Sequence, residues 1–182
     1  MRARCVFLAF SLVPISACGG DPYQVPWSTD VDTVHLFALS RPEPNLASAF
    51  DFYNRRGRTL EAVTTGTQWD LVADEVDGAF RWLPPGTLGV SSDAGLATLE
   101  GESFDELAIA PDDTASYESD EPIPIRLDEV YVVRTRRLQG SFASCNYFGK
   151  IEVLETDPLL GIVRFRFDLN PVCNNLALIP PE

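Results

Sequence analysis

The alternation of apolar and polar residues near the end of the chain is the feature that most restricts its fold. Every second residue of GIVRFRFDL, residues 161–169, is apolar: Val163, Phe165, Phe167 and Leu169. Apart from Ile162, the residues between them are charged. A period of two places alternate side chains on opposite faces of a strand. The segment therefore predicts a strand of an antiparallel sheet with one face in the core and one in water.

Strand-length apolar segments separated by turn residues occupy the rest of the chain from residue 31. The predicted strands are 31–39, 48–54, 59–63, 69–73, 79–84, 129–137, 145–155 and 161–169. Turns are expected at 55–57, at Asp77-Gly78 and at 84–86, where Gly, Pro and Asp cluster. The capping-box pattern of Ser103 and Glu106 predicts one helical turn through Ala108, and 112–121 reads as a solvated acidic loop. We expect one all-β domain over 31–182, an antiparallel sandwich or open barrel with one short helical turn.

The first 17 residues have the layout of a secretory signal peptide. Arg2 and Arg4 precede 12 almost wholly apolar residues, 5–16. A membrane-spanning helix needs about 20 apolar residues, so this stretch is too short to be one. The alternative, a buried N-terminal helix, is disfavoured by Pro14 and by the two glycines at 19–20.

The end of this stretch, Ile15-Ser16-Ala17-Cys18, resembles a bacterial lipobox. The resemblance implies that the Cys18 thiol receives a lipid and that the signal is removed before this residue. Residues 18–30 then form the lipidated cysteine and a tether, in which glycines and prolines suppress regular structure. Gly19 is not the aspartate that retains enterobacterial lipoproteins at the inner membrane. The expected location is therefore the cell envelope, at the outer membrane, facing the periplasm or the exterior.

Processing at Cys18 makes a strongly acidic chain more acidic. Removal of Arg2 and Arg4 takes the basic residues from 14 to 12 against 27 acidic ones, a formal side-chain charge of −15. This charge disfavours nucleic acid and anionic lipid surfaces as partners. We expect contact with a membrane through the lipid anchor only, and an envelope protein or small ligand of unknown identity as partner.

Two cysteines are left once Cys5 is removed and Cys18 is acylated. An even pair in an exported chain predicts a disulfide between Cys145 and Cys173. The alternative, a two-cysteine metal site, needs histidines or further thiols, and His35 is the only histidine. We therefore expect no metal.

No catalytic motif stands out, and two sets of residues remain candidates for binding. His35 is a candidate cofactor ligand, although its place in a predicted strand also fits a structural or edge residue. The arginines of two predicted strands could form a patch for an anionic ligand, or they could pair across strands with Glu129, Glu152, Glu155 and Asp168. These arginines are Arg134, Arg136, Arg137, Arg164 and Arg166.

Four segments in the C-terminal two thirds resemble the HmuY-type haem-binding lipoproteins of bacterial envelopes. They are Trp69-Asp70-Leu71, YVVRT at 131–135, YFGKI at 147–151 and VRFRF at 163–167. The resemblance covers roughly residues 50–170 and implies an all-β envelope lipoprotein that captures haem. Family members ligate the iron with two histidines or with methionines. This chain has one histidine, and its single methionine, Met1, leaves with the signal.

From the sequence we expect a lipid-anchored lipoprotein that acts as a non-enzymatic binding or interaction module without a cofactor. Two alternatives stay open. One is capture of haem or a related ligand, with His35 as ligand. The other is an envelope hydrolase that uses a pair of carboxylates, as glycoside hydrolases do.

Overall fold

A computed structural model describes residues 27, 31–60, 68–139 and 144–181, which form twelve strands. The strands are β1 Asp32–Phe37, β2 Ala49–Asp51, β3 Arg56–Arg58, β4 Leu71–Val76, β5 Ala79–Leu83, β6 Gly95–Leu99, β7 Ile123–Pro124, β8 Val130–Arg134, β9 Leu138–Gln139, β10 Ser144–Cys145, β11 Phe148–Asp157 and β12 Ile162–Leu169. Short 3-10 helices occupy Pro85–Leu88 and Thr114–Ser116. The described chain is therefore almost entirely β, as the sequence predicts.

Two five-stranded antiparallel sheets make up the fold. The first has the order β1-β12-β11-β8-β6 and the second the order β3-β2-β4-β5-β7, while β9 and β10 form a small ribbon. All strand pairs are antiparallel. Strands β8, β11 and β12 lie within or close to the segments predicted for them. The period of two in GIVRFRFDL therefore identified the strand and also its buried face.

The main core lies between the two sheets, which pack as a sandwich. Its aromatic centre draws on both sheets and comprises Phe50, Phe52, Trp82, Phe165 and Phe167. These rings meet mostly edge to face, with centroids about 5 to 6 Å apart, the arrangement that aromatic quadrupoles favour. The residues of the alternating segment that were predicted to be internal are all in this core.

The outward face of the first sheet is only partly exposed to water. A second apolar cluster covers part of it and consists of Ala97, Phe104, Leu107, Ala110, Tyr117, Val130, Val132, Phe148 and Leu178. The cover comes from the segment after β6 and from the C-terminal tail, which exchange backbone hydrogen bonds at Ala110–Leu176 and Leu178–Ala108. Asp168, predicted to face water, is consequently buried.

One local expectation is wrong. The turn expected at 55–57 lies at 52–55, and the returning strand expected at 59–63 is instead β3, Arg56–Arg58, which pairs with β2. Residues 61–63 of that prediction lie outside the described residues. Arg55 takes a left-handed backbone conformation with φ of 52°, which leaves Gly57 free to be an extended strand residue. The single helical turn predicted after Ser103 is present and is closed by the hydrogen bond from the Leu107 amide to the Ser103 carbonyl.

The predicted disulfide between Cys145 and Cys173 is present and holds the tail against the sandwich. Close by, the Asn174 amide donates to the Asn146 carbonyl at 3.0 Å, and the Asn146 amide donates to the Asn174 side chain at 2.9 Å. Asn170 also binds the tail through the carbonyl of Ala177 at 2.8 Å. The tail is therefore held by several polar contacts in addition to the covalent link.

Candidate functional site: an arginine groove beside buried ion pairs

The candidate ligand His35 lies exposed on the outward face of the edge strand β1. Its register partner on β12 is Arg164, and its ring meets the edge of Phe37 with centroids 5.4 Å apart. His35 is not among the lining residues of three grooves formed by described residues, which lie around Trp69, Asp168 and Leu46. This position fits the structural role considered for it better than the role of an axial ligand in a closed pocket.

The arginines of β8 and β12 form ion pairs or contacts within the protein and do not make a common patch. Arg164 pairs with Glu155 at 3.0 Å across strands, and Arg166 pairs with Glu152. Arg134 donates to the Asp93 carbonyl, and its guanidinium stacks on the Tyr117 ring. The two arginines of β12 are therefore paired with carboxylates of the neighbouring strand β11, and Arg134 of β8 is held by a backbone carbonyl and an aromatic ring.

The proposed lipidation residue Cys18 and the signal peptide 1–17 lie outside the described residues. Among the residues described, no helix is long and apolar enough to span a membrane. Of the tether, Trp27 is described: its indole N–H donates to both carboxylate oxygens of Asp168, at 3.1 and 3.2 Å. The chain that leads into β1 is thus attached to the end of β12.

A buried ion-pair network links the two sheets at this same end of the sandwich. Arg136, just after β8, donates from Nη1 to Asp70 at 3.0 Å and from both terminal nitrogens to Asp51 at 3.2 Å. Both carboxylates are fully buried. Asp51 also accepts from Arg58 at 2.9 Å and from the Asn54 side chain at 2.8 Å. The network therefore joins β8 of the first sheet to β2 and β3 of the second.

The two buried carboxyl groups respond differently to this environment. Burial raises the pKa of Asp70. The positive charge of Arg136 and hydrogen bonds from two backbone N–H groups act to lower this pKa, but they do not fully offset the effect of burial. Burial also acts to raise the pKa of Asp51, but hydrogen bonds from Arg58 and Asn54 outweigh it and lower that pKa. Both carboxylates are occupied by donors from this chain, which indicates a structural role for them.

Beside the network, a groove of about 340 Å³ opens along the edge strand β3. It is lined by Ala47, Arg56, Gly57, Arg58, Thr59, Gln68 and Trp69. Its size falls in the range of small-molecule sites, roughly 300–1,000 Å³. Apart from Trp69, which belongs to a resembling segment, these residues were not predicted as a site from the sequence, because the turn predicted at 55–57 separates Arg56 from the strand.

Gly57 lets β3 lie against the loop before β2. A methyl group added at this position would come within 2.9 Å of the Cβ of Ala47, which also lines the groove. The two arginines on either side of Gly57 differ in their contacts. Arg58 is held by Asp51, whereas exposed Arg56 forms no ion pair with any described residue. The groove thus contains one fixed and one unpaired guanidinium group.

Two buried N–H donors in the groove wall lack an acceptor. They are the indole nitrogen of Trp69 and Nε of Arg58. Leaving a buried donor unsatisfied costs about 1–3 kcal/mol. Trp69 is itself almost fully buried, packed with Ala49, Val72 and Leu83 on the outward face of the second sheet. The groove therefore combines cationic groups with donors that an added acceptor could satisfy.

A smaller groove of about 170 Å³ lies on the outward face of the first sheet. It includes Asp105, Asp168 and the buried Lys150, whose ammonium lies over the Phe104 ring and donates to the Leu107 carbonyl at 3.2 Å. Desolvation by burial lowers the pKa of Lys150. Because Asp168 already accepts from Trp27 and from the Leu169 amide, it is not free to act on a substrate.

Comparison of the chain with known protein families and with curated proteins finds no match. Among the described residues, no group of three or more histidine, cysteine or carboxylate side chains is arranged to hold a metal ion.

Proposed function

We propose that the protein is a lipid-anchored cell-envelope lipoprotein that acts as a non-enzymatic binding module, with the groove of Arg56, Arg58 and Trp69 as its ligand site. The observation that carries the binding role is this groove, which is large enough for a small molecule and lies against a rigid ion-pair network. The lipobox at Cys18 supports the anchor. The Cys145–Cys173 disulfide supports export to an oxidising compartment.

The contact of Trp27 with Asp168 supports a defined placement of the domain near a membrane. Nine residues of chain lead from Cys18 to Trp27. Their full extension cannot exceed about 32 Å. In an anchored protein, the Asp168 end of the sandwich stays within that distance of the bilayer.

The groove belongs to this same end of the sandwich. Asp32, at the start of β1, forms an ion pair with Arg55 at 2.6 Å, and Arg55 directly precedes the groove residue Arg56. A ligand in the groove would thus be held close to the membrane surface. We propose the outer membrane as that surface, on the basis of Gly19.

The two alternatives have less support. Haem capture rests on the resemblance to HmuY-type lipoproteins and on His35, which lies exposed on an edge strand. A hydrolase would need two accessible carboxylates, and in the smaller groove Asp168 is occupied by Trp27.

Metabolic labelling with a fatty-acid analogue tests the anchor. The full chain is expressed in a bacterium with a lipoprotein pathway, as wild type and as the variants Cys18→Ala and Cys5→Ala. We expect label on wild type and on Cys5→Ala, the matched control, because only Cys18 occupies the lipobox. Loss of label and release from the membrane fraction are expected for Cys18→Ala. Equal labelling of Cys18→Ala and wild type would overturn the anchor.

A further inference from the structure

We infer that the groove is an oxyanion site, which binds the carboxylate or phosphate group of a small organic molecule through Arg56, Arg58 and Trp69. The inference rests on the proposed binding function and names the chemical class of its ligand. Guanidinium groups are suited to this role, because their planar fork of N–H donors matches the two oxygens of a carboxylate or phosphate.

The charge of the groove differs from that of the chain as a whole. The chain carries 27 acidic residues against 14 basic ones, yet the described residues that line the groove include two arginines and no carboxylate. Most described arginines have an acidic partner, among them Arg41, Arg55, Arg126, Arg137, Arg164 and Arg166. Arg56 has no such partner in the described part of the chain. An unpaired guanidinium group in such a groove attracts an anion.

The ion-pair network holds the second arginine in position for this role. Asp51 fixes the Nη2 end of Arg58, and Asp51 is in turn held by Arg136 and Asn54. The Nε atom of Arg58 is left buried without an acceptor. A binding group that is already ordered loses little conformational freedom when a ligand arrives, which favours affinity.

The indole of Trp69 supplies both a further donor and an apolar wall. Trp69 is among the residues that line the groove, and its buried N–H has no acceptor, so it is a donor that a bound oxygen could satisfy. Inorganic phosphate alone would leave most of the 340 Å³ empty. The indole and the Ala47 side chain can cover the apolar part of a larger molecule. These features favour an organic anion over a bare ion.

The smaller groove on the other sheet does not offer the same chemistry. Its one cation, Lys150, lies beside Asp105 and Asp168, which oppose the approach of an anion. Trp27 already donates to Asp168 at its edge. The arginine groove is therefore the place where an anion meets favourable charge.

The test uses the indole N–H signals of the full chain, purified in non-ionic detergent and labelled with nitrogen-15 in its three tryptophans. The Trp69 signal is assigned with Trp69→Phe. The probes are benzoate, inorganic phosphate and the neutral isostere benzamide, at ionic strength held constant with chloride. We expect a saturable shift of the Trp69 signal with benzoate or phosphate, and a response to benzamide that is at least about tenfold weaker. No saturable shift with either anion would overturn the inference.

Arg56→Gln and Arg81→Gln form a matched pair of variants. Both arginines lie on strands of the second sheet and neither forms an ion pair among the described residues, but only Arg56 lines the groove. We expect Arg56→Gln to weaken benzoate binding at least about tenfold, and Arg81→Gln to stay within about twofold of wild type. Equal loss in both variants would mean that net charge, and no specific site, attracts the anion, and it would overturn the inference.

This outcome is separable from a failure of the proposed function. Benzamide binding as tight as benzoate binding would leave a binding module but overturn its selectivity for anions. Unchanged acyl labelling of Cys18→Ala would overturn the anchor and leave the anion site in place.

Discussion

Replacement of Arg136 by methionine tests the role of the buried ion-pair network. Methionine keeps a long apolar side chain but removes the guanidinium. Asp51 would keep Arg58 and Asn54 as donors. Asp70 would keep only the backbone amides of Phe52, at 2.9 Å, and of residue 136, at 2.8 Å, with no positive charge beside it.

The expected loss of stability follows from this uncompensated charge. Removing one partner of a buried ion pair costs about 3–5 kcal/mol. Because Asp51 retains a cation, we expect Arg136→Met to lower the free energy of unfolding by about 3 kcal/mol, the low end of that range. Domains of this size are stable by about 5–15 kcal/mol, so the variant should still fold. Urea denaturation followed by tryptophan fluorescence measures the difference.

The neighbouring residue provides a control. Arg137 pairs with Asp93 at 2.7 Å, but about half of each of these side chains is exposed. Exposed pairs contribute about 0–1 kcal/mol, so Arg137→Met should change the free energy of unfolding by less than about 1 kcal/mol. A loss below about 1 kcal/mol in Arg136→Met as well would refute the reasoning, because the buried network would then add no more than a surface pair.

The penalty of Arg136→Met should also depend on pH. Burial raises the pKa of Asp70 and Arg136 opposes that rise, so the folded-state pKa is higher still in the variant. A carboxyl whose pKa is higher folded than unfolded contributes stability at low pH and loses it as pH rises through the folded value. The destabilisation should therefore be smaller near pH 4 than at pH 7. An equal penalty at both values would contradict this account of Asp70.

Three further outcomes are expected. The double variant Cys145→Ala, Cys173→Ala should have a free energy of unfolding lower by about 3–4 kcal/mol in urea denaturation, because the disulfide links two residues that are 28 positions apart in the sequence; an unchanged midpoint would contradict this. Trp27→Phe should speed limited proteolysis before β1 several-fold by removing the hydrogen bond to Asp168, and wild-type cleavage rates would argue against the attachment. Gly149→Ala should cost about 1–3 kcal/mol in thermal unfolding, because its methyl would lie 2.4 Å from the Asp168 carbonyl oxygen; full stability would show that the strands adjust freely.

Local pattern was sufficient for the longer strands and insufficient where the chain turns without a typical turn residue. Strands β4 and β5 join at Asp77 and Gly78, both with positive φ, and the Asp-Gly pair predicts this turn directly. The turn before β3 instead uses Arg55, at φ of 52°. Arginine has no preference for that conformation, so local preference predicts the turn at the glycine two residues later. The ion pair between Arg55 and Asp32 of another strand stabilises the left-handed conformation of Arg55, which local preference does not favour.

The candidate site shows even more clearly that local sequence pattern does not predict which distant residues meet. Arg136 and Asp51 are 85 residues apart, and Arg136 and Asp70 are 66 apart. In the sequence each is an ordinary charged residue at the end of a strand. Only the packing of the two sheets brings them together, with Arg58 next to them. The sequence did indicate arginines as candidates for anion binding, but it pointed to β8 and β12. There the β12 arginines pair with carboxylates on β11, and Arg134 is held by the Asp93 carbonyl and the Tyr117 ring.

The sequence alone determined the all-β class and the pairing of Cys145 with Cys173. The period of two is a local property of each strand, and the disulfide partner follows by elimination once Cys5 and Cys18 are assigned to the leader and the anchor. The tertiary structure decided which charges are buried, which arginines are left without an ion pair and where a groove opens. Those properties depend on the distances between residues of different sheets, and the order of residues along the chain does not contain them.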